Sequence, residues 1–155
     1  MGKVTITIKE GLRAYNELST IKLSKFDKDL RKAAVRNYAE LSKVSKENQA
    51  YQEDVKERLF ADMKEEITVV SELRSRMSAA KTREELAEIN KDIICNHSAF
   101  LKTEEEYGNI LKDKENETIE VDLSTVDMDK WIDALVTAEI DFTPTNINNL
   151  NCMFN

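Results

Sequence analysis

Apolar and polar side chains alternate along the first residues of the chain, in the stretch KVTITI. From Val4 to Ile8 every second residue is apolar, which is the period of a half-buried β-strand. In the following stretch, EGLRAYNELS, apolar residues recur every three positions and favour a helix. Thr7 and Glu10 have the spacing of a capping box, whose hydroxyl and carboxylate accept hydrogen bonds from free amides at a helix start. Residues 3–24 are therefore predicted to form a strand and a short helix.

A long apolar stripe of helical period comes next. From Phe26 to Met77 the positions of the stripe lie three or four residues apart, all apolar except Asn48, and neither Gly nor Pro interrupts them. Leu30 and Tyr38 belong to the first part of this stripe. The pattern predicts one continuous helix of about 80 Å, at 1.5 Å per residue.

The stripe ends in the small residues of SRMSAAK, and a second helical pattern begins directly after them. Thr82, with a glutamate three residues later, again has capping-box spacing. The apolar positions then continue to Leu111, which predicts a helix of about 45 Å. A short connection between long helices makes them antiparallel neighbours. Residues 25–113 are therefore predicted to form a long αα-hairpin that turns near residues 78–82.

Two further alternating stretches, TIEVDL and EIDF, flank a short helical pattern near the end of the chain. They predict a strand-helix-strand unit over residues 118–143. Because a lone two-stranded piece is marginally stable, three strands at residues 3–7, 118–123 and 139–143 are expected to form one small sheet. The fold class predicted is mainly α with this small β element, in a single domain over residues 1–155.

The two predicted helices of the hairpin differ in length by about 35 Å, which leaves the stripe near residues 25–47 without a partner. An uncovered apolar stripe is an aggregation hazard, so the two short helices and the sheet are expected to cover it. The Asn-rich tail, residues 145–155, is expected to be loosely ordered. The predicted packing and interaction residues are Phe26, Leu30, Tyr38, Trp131 and Phe142.

The net charge of −7 is unevenly distributed along the sequence. Residues 1–60 carry a net charge of +4, residues 61–103 of −1 and residues 104–155 of −10. Opposite charges favour contact between the first and last segments within the fold. A basic segment is also typical of nucleic-acid-binding proteins, but acidic residues such as Asp27 and Glu40 interleave with its lysines and disfavour that partner.

Side chains that commonly carry catalysis or bind metals do not cluster in the sequence. Cys95 and His97 are two positions apart, about 200° around a helix, so they point in different directions. The acidic stretch from Asp113 has Thr118 and Ser124 where an EF-hand loop requires Gly and Glu. Glycine-rich phosphate loops, zinc-protease motifs and nucleophile elbows are absent from the sequence. The sequence therefore predicts no catalytic residue, no cofactor and no metal site.

No run of about eighteen apolar residues occurs, so no membrane span is predicted. The first residues lack the apolar core of a secretory signal, and the two cysteines do not have the spacing of a disulfide framework. We therefore expect a cytoplasmic protein that does not interact with a membrane.

The order of elements resembles that of a group of small, uncharacterised proteins encoded by bacteriophages and prophages. The resemblance rests on KVTITIKEGLRAYNELSTIKLSKFDKDLRKAAVRNYAELSKVSKE, on the helical hairpin after it, and on IEVDLSTVDMDKWIDALVTAEIDF. It covers most of residues 3–143. It implies a role in virion morphogenesis or as a phage-encoded accessory, in the bacterial cytoplasm or in the virion, and no known chemistry.

These observations predict a non-enzymatic structural or assembly protein of phage or prophage origin that acts by binding other proteins. A second copy of the chain is among the expected partners, because the second helix of the hairpin has an apolar stripe wider than one neighbour requires. The alternative is an acidic regulatory protein that sequesters a cellular partner.

Overall fold

The computed structural model describes residues 2–155 and is mainly helical, with one small antiparallel sheet. This confirms the coarse fold class. In chain order the elements are β1 Gly2–Thr7, α1 Ile8–Thr20, α2 Lys28–Phe60, α3 Lys64–Ala79, α4 Arg83–Asn96, α5 Ser98–Glu115, β2 Thr118–Leu123, α6 Met128–Thr137 and α7 Pro144–Asn148, followed by a short 3-10 helix, Asn151–Met153.

The chain forms two compact units. The first unit contains the chain up to Ala50 together with Asp113–Asn155, and the second unit contains Tyr51–Lys112. The boundaries between the units fall within α2 and α5. The prediction of a single domain stays a prediction.

The sheet joins β1 to β2 in antiparallel register, with Val4 opposite Val121. Ile6 and Val121 are buried on its inner face, as the period of two predicts. The capping box at Thr7 is also present: Glu10 N–H donates to Thr7 Oγ1 at 3.1 Å, and Thr7 N–H donates to Glu10 Oε2 at 2.7 Å. The strand turns directly into α1 at this cap. The expected pairing between residues 3–7 and 118–123 is confirmed.

The third predicted strand, at residues 139–143, does not form. Helix α6 instead ends in a Schellman motif, in which Glu139 N–H donates to Val136 O at 3.1 Å and Ile140 N–H donates to Leu135 O at 3.0 Å. Glu139 has a φ of 56°, the left-handed conformation that this motif requires. Because the motif holds Ile140 against the end of the helix, this residue packs on the core without joining a sheet. The sheet therefore has two strands.

The Asn-rich tail is ordered, contrary to expectation. Thr143 caps α7, and the side chain of Asn146 completes the capping box by accepting from Thr143 N–H at 2.7 Å. Leu150 and Met153 are then buried in the core of the first unit. Val126 N–H donates to Met153 O at 2.8 Å, which fixes the end of the chain beside α6. Asparagines that suggest disorder by composition serve here as caps and turn residues.

The long helix predicted over residues 25–78 is interrupted at residues 61–63, between α2 and α3. In a continuous helix Phe60 and Val70 would lie about 15 Å apart along the axis and face different directions. The break brings both side chains into one buried cluster with Phe100. No Gly, Pro or side-chain cap marks the break, so packing decides it.

The second predicted helix is divided as well, into α4 and α5 at His97. The predicted turn near residues 78–82 is present, and Glu85 N–H donates to Thr82 Oγ1 at 3.2 Å as the spacing predicts. Helices α3 and α4 pack together around Leu73, Ile89 and Ile93. The single long hairpin is therefore replaced, within the second unit, by several shorter packed helices.

We expect Glu139→Gly to raise the free energy of unfolding of the first unit by about 0.5–1 kcal/mol. Glycine adopts the left-handed conformation without a steric penalty, which outweighs its greater freedom in the unfolded chain. Urea unfolding followed by the fluorescence of Trp131, the only tryptophan, measures the change. The control Thr137→Gly, at the last residue of the same helix, should instead lower the free energy of unfolding by a few tenths of a kcal/mol. Equal effects of the two variants would contradict the assignment.

Candidate functional site

Four of the five predicted packing residues meet in the core of the first unit. Trp131 is completely buried, and its ring meets Phe26 edge-on, with the centroids 5.1 Å apart. Leu30 is buried in the same cluster, and Phe142 is half-buried at its edge. These residues therefore belong to a structural core, which covers the start of the apolar stripe of α2.

Tyr38 lies outside this core, with 36% of its surface exposed. It stacks on Tyr15 with ring centroids 5.0 Å apart, and its hydroxyl donates to Tyr15 Oη at 3.5 Å. This hydrogen bond is the main reason that the pKa of Tyr38 is raised. The core position instead belongs to Asn37. Both residues fit a spacing of three or four from their neighbours in the stripe, so periodicity alone does not distinguish the polar side chain from the aromatic one.

Asn37 links α2 to the segment that follows β2. Its Nδ2 donates to the Ser124 carbonyl at 2.9 Å, and its Oδ1 accepts from Ser124 N–H at 2.7 Å. The amide of a completely buried side chain thus replaces a ladder partner at the end of the strand. Nδ2 also lies 3.8 Å from Met153 Sδ, within reach of the tail. Sequence periodicity permits burial at this position, although it predicts Tyr38 in its place, and it does not reveal the partner of Asn37.

The exposed side of α2 in the first unit is basic. Over residues 28–46 it presents six cationic side chains, and the carboxylates of the same segment lie toward the border of that side. Two apolar or aromatic residues are exposed among these charges, Val35 at 54% and Tyr38 at 36%. The cationic side chains are Lys28, Arg31, Lys32, Arg36, Lys43 and Lys46.

The exposed side of α6 is acidic. Asp129 and Asp133 lie on it one turn apart, with Lys130 as the cation of this helix. Val136, on the same side, is 63% exposed, and Met128 is 36% exposed. This face therefore combines apolar surface with negative charge, whereas the face on α2 combines apolar surface with positive charge.

The second unit contains an open groove of about 560 Å³ between α2, α3 and α5. Its apolar lining includes Phe60, whose ring centroid lies 5.5 Å from that of Phe100 and 5.9 Å from that of Tyr107. Three serines of α3 line it as well, at intervals of four and three residues: Ser71, Ser75 and Ser78. Short side chains on one helix face leave room for another backbone to approach.

An ion pair lies on the wall of this groove. Arg74 donates through both terminal nitrogens to Glu104, at 2.8 and 2.6 Å, in the two-pronged geometry that suits a guanidinium and a carboxylate. The hydrogen bond raises the pKa of Arg74 further. Lys56 adds a second cation to the lining.

Comparison of this chain with protein-family models, with curated proteins and with solved structures gives no match. The surfaces must therefore be interpreted from their own chemistry. No helix within residues 2–155 has the length and apolar character needed to cross a bilayer.

The nucleophilic and metal-ligating side chains lie apart. His97 Nδ1 is 3.1 Å from Glu66 Oε1 in the second unit, where the pair joins the start of α3 to the junction of α4 and α5. Cys95 is exposed, whereas Cys152 is half-buried in the first unit. Over residues 2–155, no three His, Cys, Asp or Glu side chains are grouped as they would be around a metal ion.

We expect Asn37→Leu to destabilise the first unit by about 2–4 kcal/mol, because it leaves both the N–H and the carbonyl of Ser124 without a partner. The matched control is Asn48→Leu, since Asn48 is also buried on α2 but forms no side-chain hydrogen bond within the described residues. Urea unfolding followed by Trp131 fluorescence compares them. A loss for Asn37→Leu no larger than that of the control would show that the link to Ser124 adds no stability.

Burial, with a smaller contribution from Glu10, raises the pKa of the Cys152 thiol to about 11. We therefore expect iodoacetamide at pH 8 to alkylate the exposed Cys95 first, since about one Cys152 in a thousand is then a thiolate. The raised pKa also means that its contribution to stability is present below pH 9 and is lost as the pH rises from 9 to 11. Mass spectrometry of the peptides measures the alkylation rates of Cys95 and Cys152, and in urea these two rates should converge. Equal rates in the folded protein would refute the burial effect.

Proposed function

We propose that this protein is a non-enzymatic assembly component that acts by binding other proteins, with the groove of the second unit as its main docking surface. The observation that carries the proposal is an open groove of mixed apolar and polar lining, formed by residues of three helices. A concave surface that combines apolar side chains with a few polar and charged groups is typical of binding sites.

The groove has the features of a helix-binding site. An amphipathic helix binds such a groove through apolar side chains spaced three or four residues apart. Ile67 and Tyr107 supply accessible apolar surface for those side chains, and the serines of α3 allow the partner backbone to approach closely. The Arg74–Glu104 ion pair then lies at the polar edge of the groove. There it can form hydrogen bonds with a bound helix while its charges remain accessible to water.

Further apolar side chains are exposed elsewhere in the second unit. Ile94 is 52% exposed, Val69 is 42% exposed and Leu86 is 37% exposed. Leu86 and Ile94 lie eight residues apart on one side of α4, so they extend the apolar stripe beyond what α3 covers. This supports a protein with more than one contact surface, as an assembly component requires. The phage or prophage origin inferred from the order of elements is consistent with such a role.

The alternative function is an acidic regulatory protein that sequesters a cellular partner. The acidic face of α6 and the net charge of −7 favour it. A sequestering protein would bind a basic partner through that face, and substitutions in the groove would leave the complex unchanged.

Purification of the tagged protein from its source organism tests the groove. We expect a protein partner at stoichiometric ratio with the wild type and with Thr68→Trp, but at least tenfold less with Ser75→Trp. Ser75 lines the groove, whereas Thr68 is exposed on the same helix without lining it. Circular dichroism confirms that both variants retain their helices. A partner bound equally by both variants would exclude the groove, and the absence of any partner or oligomer would exclude the function.

A further inference from the structure

The two faces described for the first unit carry opposite charge on similar apolar centres. Val35 and Val136 are its two most exposed large apolar side chains, at 54% and 63%. Arg31 and Lys32 precede Val35 by four and three residues and therefore flank it on the helix surface. On α6, Asp133 precedes Val136 by three residues, and Asp129 lies one turn before Asp133 on the same side.

Few of the opposite charges in the two segments of the first unit form ion pairs with each other. Residues 2–50 carry a net charge of +5, and residues 113–155 carry −8. Over the described residues, the only ion pair between these two segments is Lys3–Glu120, at 3.4 Å between exposed side chains. The expectation that the two segments meet within the fold is correct for their apolar residues, but most of their charges face outward.

We propose that a second copy of this chain docks the acidic face of its α6 on the basic face of α2. This inference rests on the proposed function and names one of its partners. Charge complementarity supplies the orientation, and contact between Val136 of one copy and the Val35 region of the other removes both from water. Asp129 and Asp133 then approach the cations of α2.

The size of the two faces predicts a weak, salt-sensitive contact. Helix α6 has ten residues, about 15 Å in length, which is short of what a single stable interface requires. Since every copy carries both faces, two contacts can form reciprocally in a closed dimer, or successive contacts can build a ring or a filament. A second copy fits the basic face better than nucleic acid, because it brings an exposed apolar side chain, Val136, to Val35, whereas a phosphate backbone offers Val35 no apolar contact.

Charge reversal on each face tests the proposal. One variant carries Arg31→Glu and Lys32→Glu, and the other carries Asp129→Lys and Asp133→Lys. All four residues are exposed, so both variants should fold, which circular dichroism confirms. The matched control, Lys91→Glu with Lys102→Glu, changes the net charge as the first variant does but lies in the second unit.

Sedimentation of the full chain at low salt measures the self-association. We expect wild type and control to associate, each face variant to associate at least tenfold more weakly, and an equimolar mixture of the two face variants to form a one-to-one complex. In that mixture one intact α2 face meets one intact α6 face. Raising the salt to about 0.5 M should weaken the wild-type assembly, because it screens exposed charges.

Three results would overturn the proposal. A wild-type chain that remains monomeric excludes a second copy, and association that survives both reversals places the contact elsewhere. The basic face would be assigned to nucleic acid if the wild type and the α6 variant bind labelled DNA or RNA, single- or double-stranded, while the α2 variant does not. The mixture of the two face variants would then form no complex. In each case a heterologous partner lost with Ser75→Trp would still support the groove, so the two proposals fail separately.

Discussion

The pairing of β1 with β2 is the contact on which the first unit depends. It joins residues that are more than a hundred positions apart in the sequence, and closing a loop of that length costs about 4 kcal/mol of chain entropy. A two-stranded sheet does not supply this free energy alone. The buried side chains of its inner face supply it by joining one core with α1, α2 and α6. The sheet and the core are therefore stable only together.

Asn37 gives this arrangement its specificity. An apolar side chain at the same position would bury equally well but would leave the backbone of Ser124 without partners. The paired hydrogen bonds require one rotation of α2 and one position of the chain after β2. The tail adds a further constraint, since Met153 lies against the same amide. A buried polar group here specifies which of several possible apolar packings forms.

The distribution of charge on this fold favours contacts that form and dissociate readily. Exposed ion pairs contribute at most about 1 kcal/mol each, so charge selects a partner and an orientation but does not hold a complex by itself. In the proposed contacts, the exposed apolar residues at the centre of each face and in the groove supply the remaining stabilisation. The proposed role therefore relies on several modest contacts.

The sequence by itself determined the local structure, because capping and periodicity act over a few residues. Each of these local signals lies within a single turn or strand pair. They are the capping boxes at Thr7 and Thr143, the side-chain cap at Thr82, and the alternation in β1 and β2. The cap at Thr143 lies beside a tail whose asparagine-rich composition by itself favours loose order. The pairing of the two strands was also predictable, since each has an alternating pattern that requires a partner, but the sequence did not exclude the third alternating stretch at residues 139–143.

The tertiary structure alone decided where helices stop and which side chain faces the core. The break after Phe60 has no local signal, because it forms to bring Phe60, Val70 and Phe100 into one cluster. The choice of Asn37 over Tyr38 depends on the backbone of Ser124, which is 87 positions away. The lost third strand depends on Glu139 adopting a conformation that its residue type disfavours. In the first two cases a contact distant in sequence outweighs a local preference of about 1 kcal/mol.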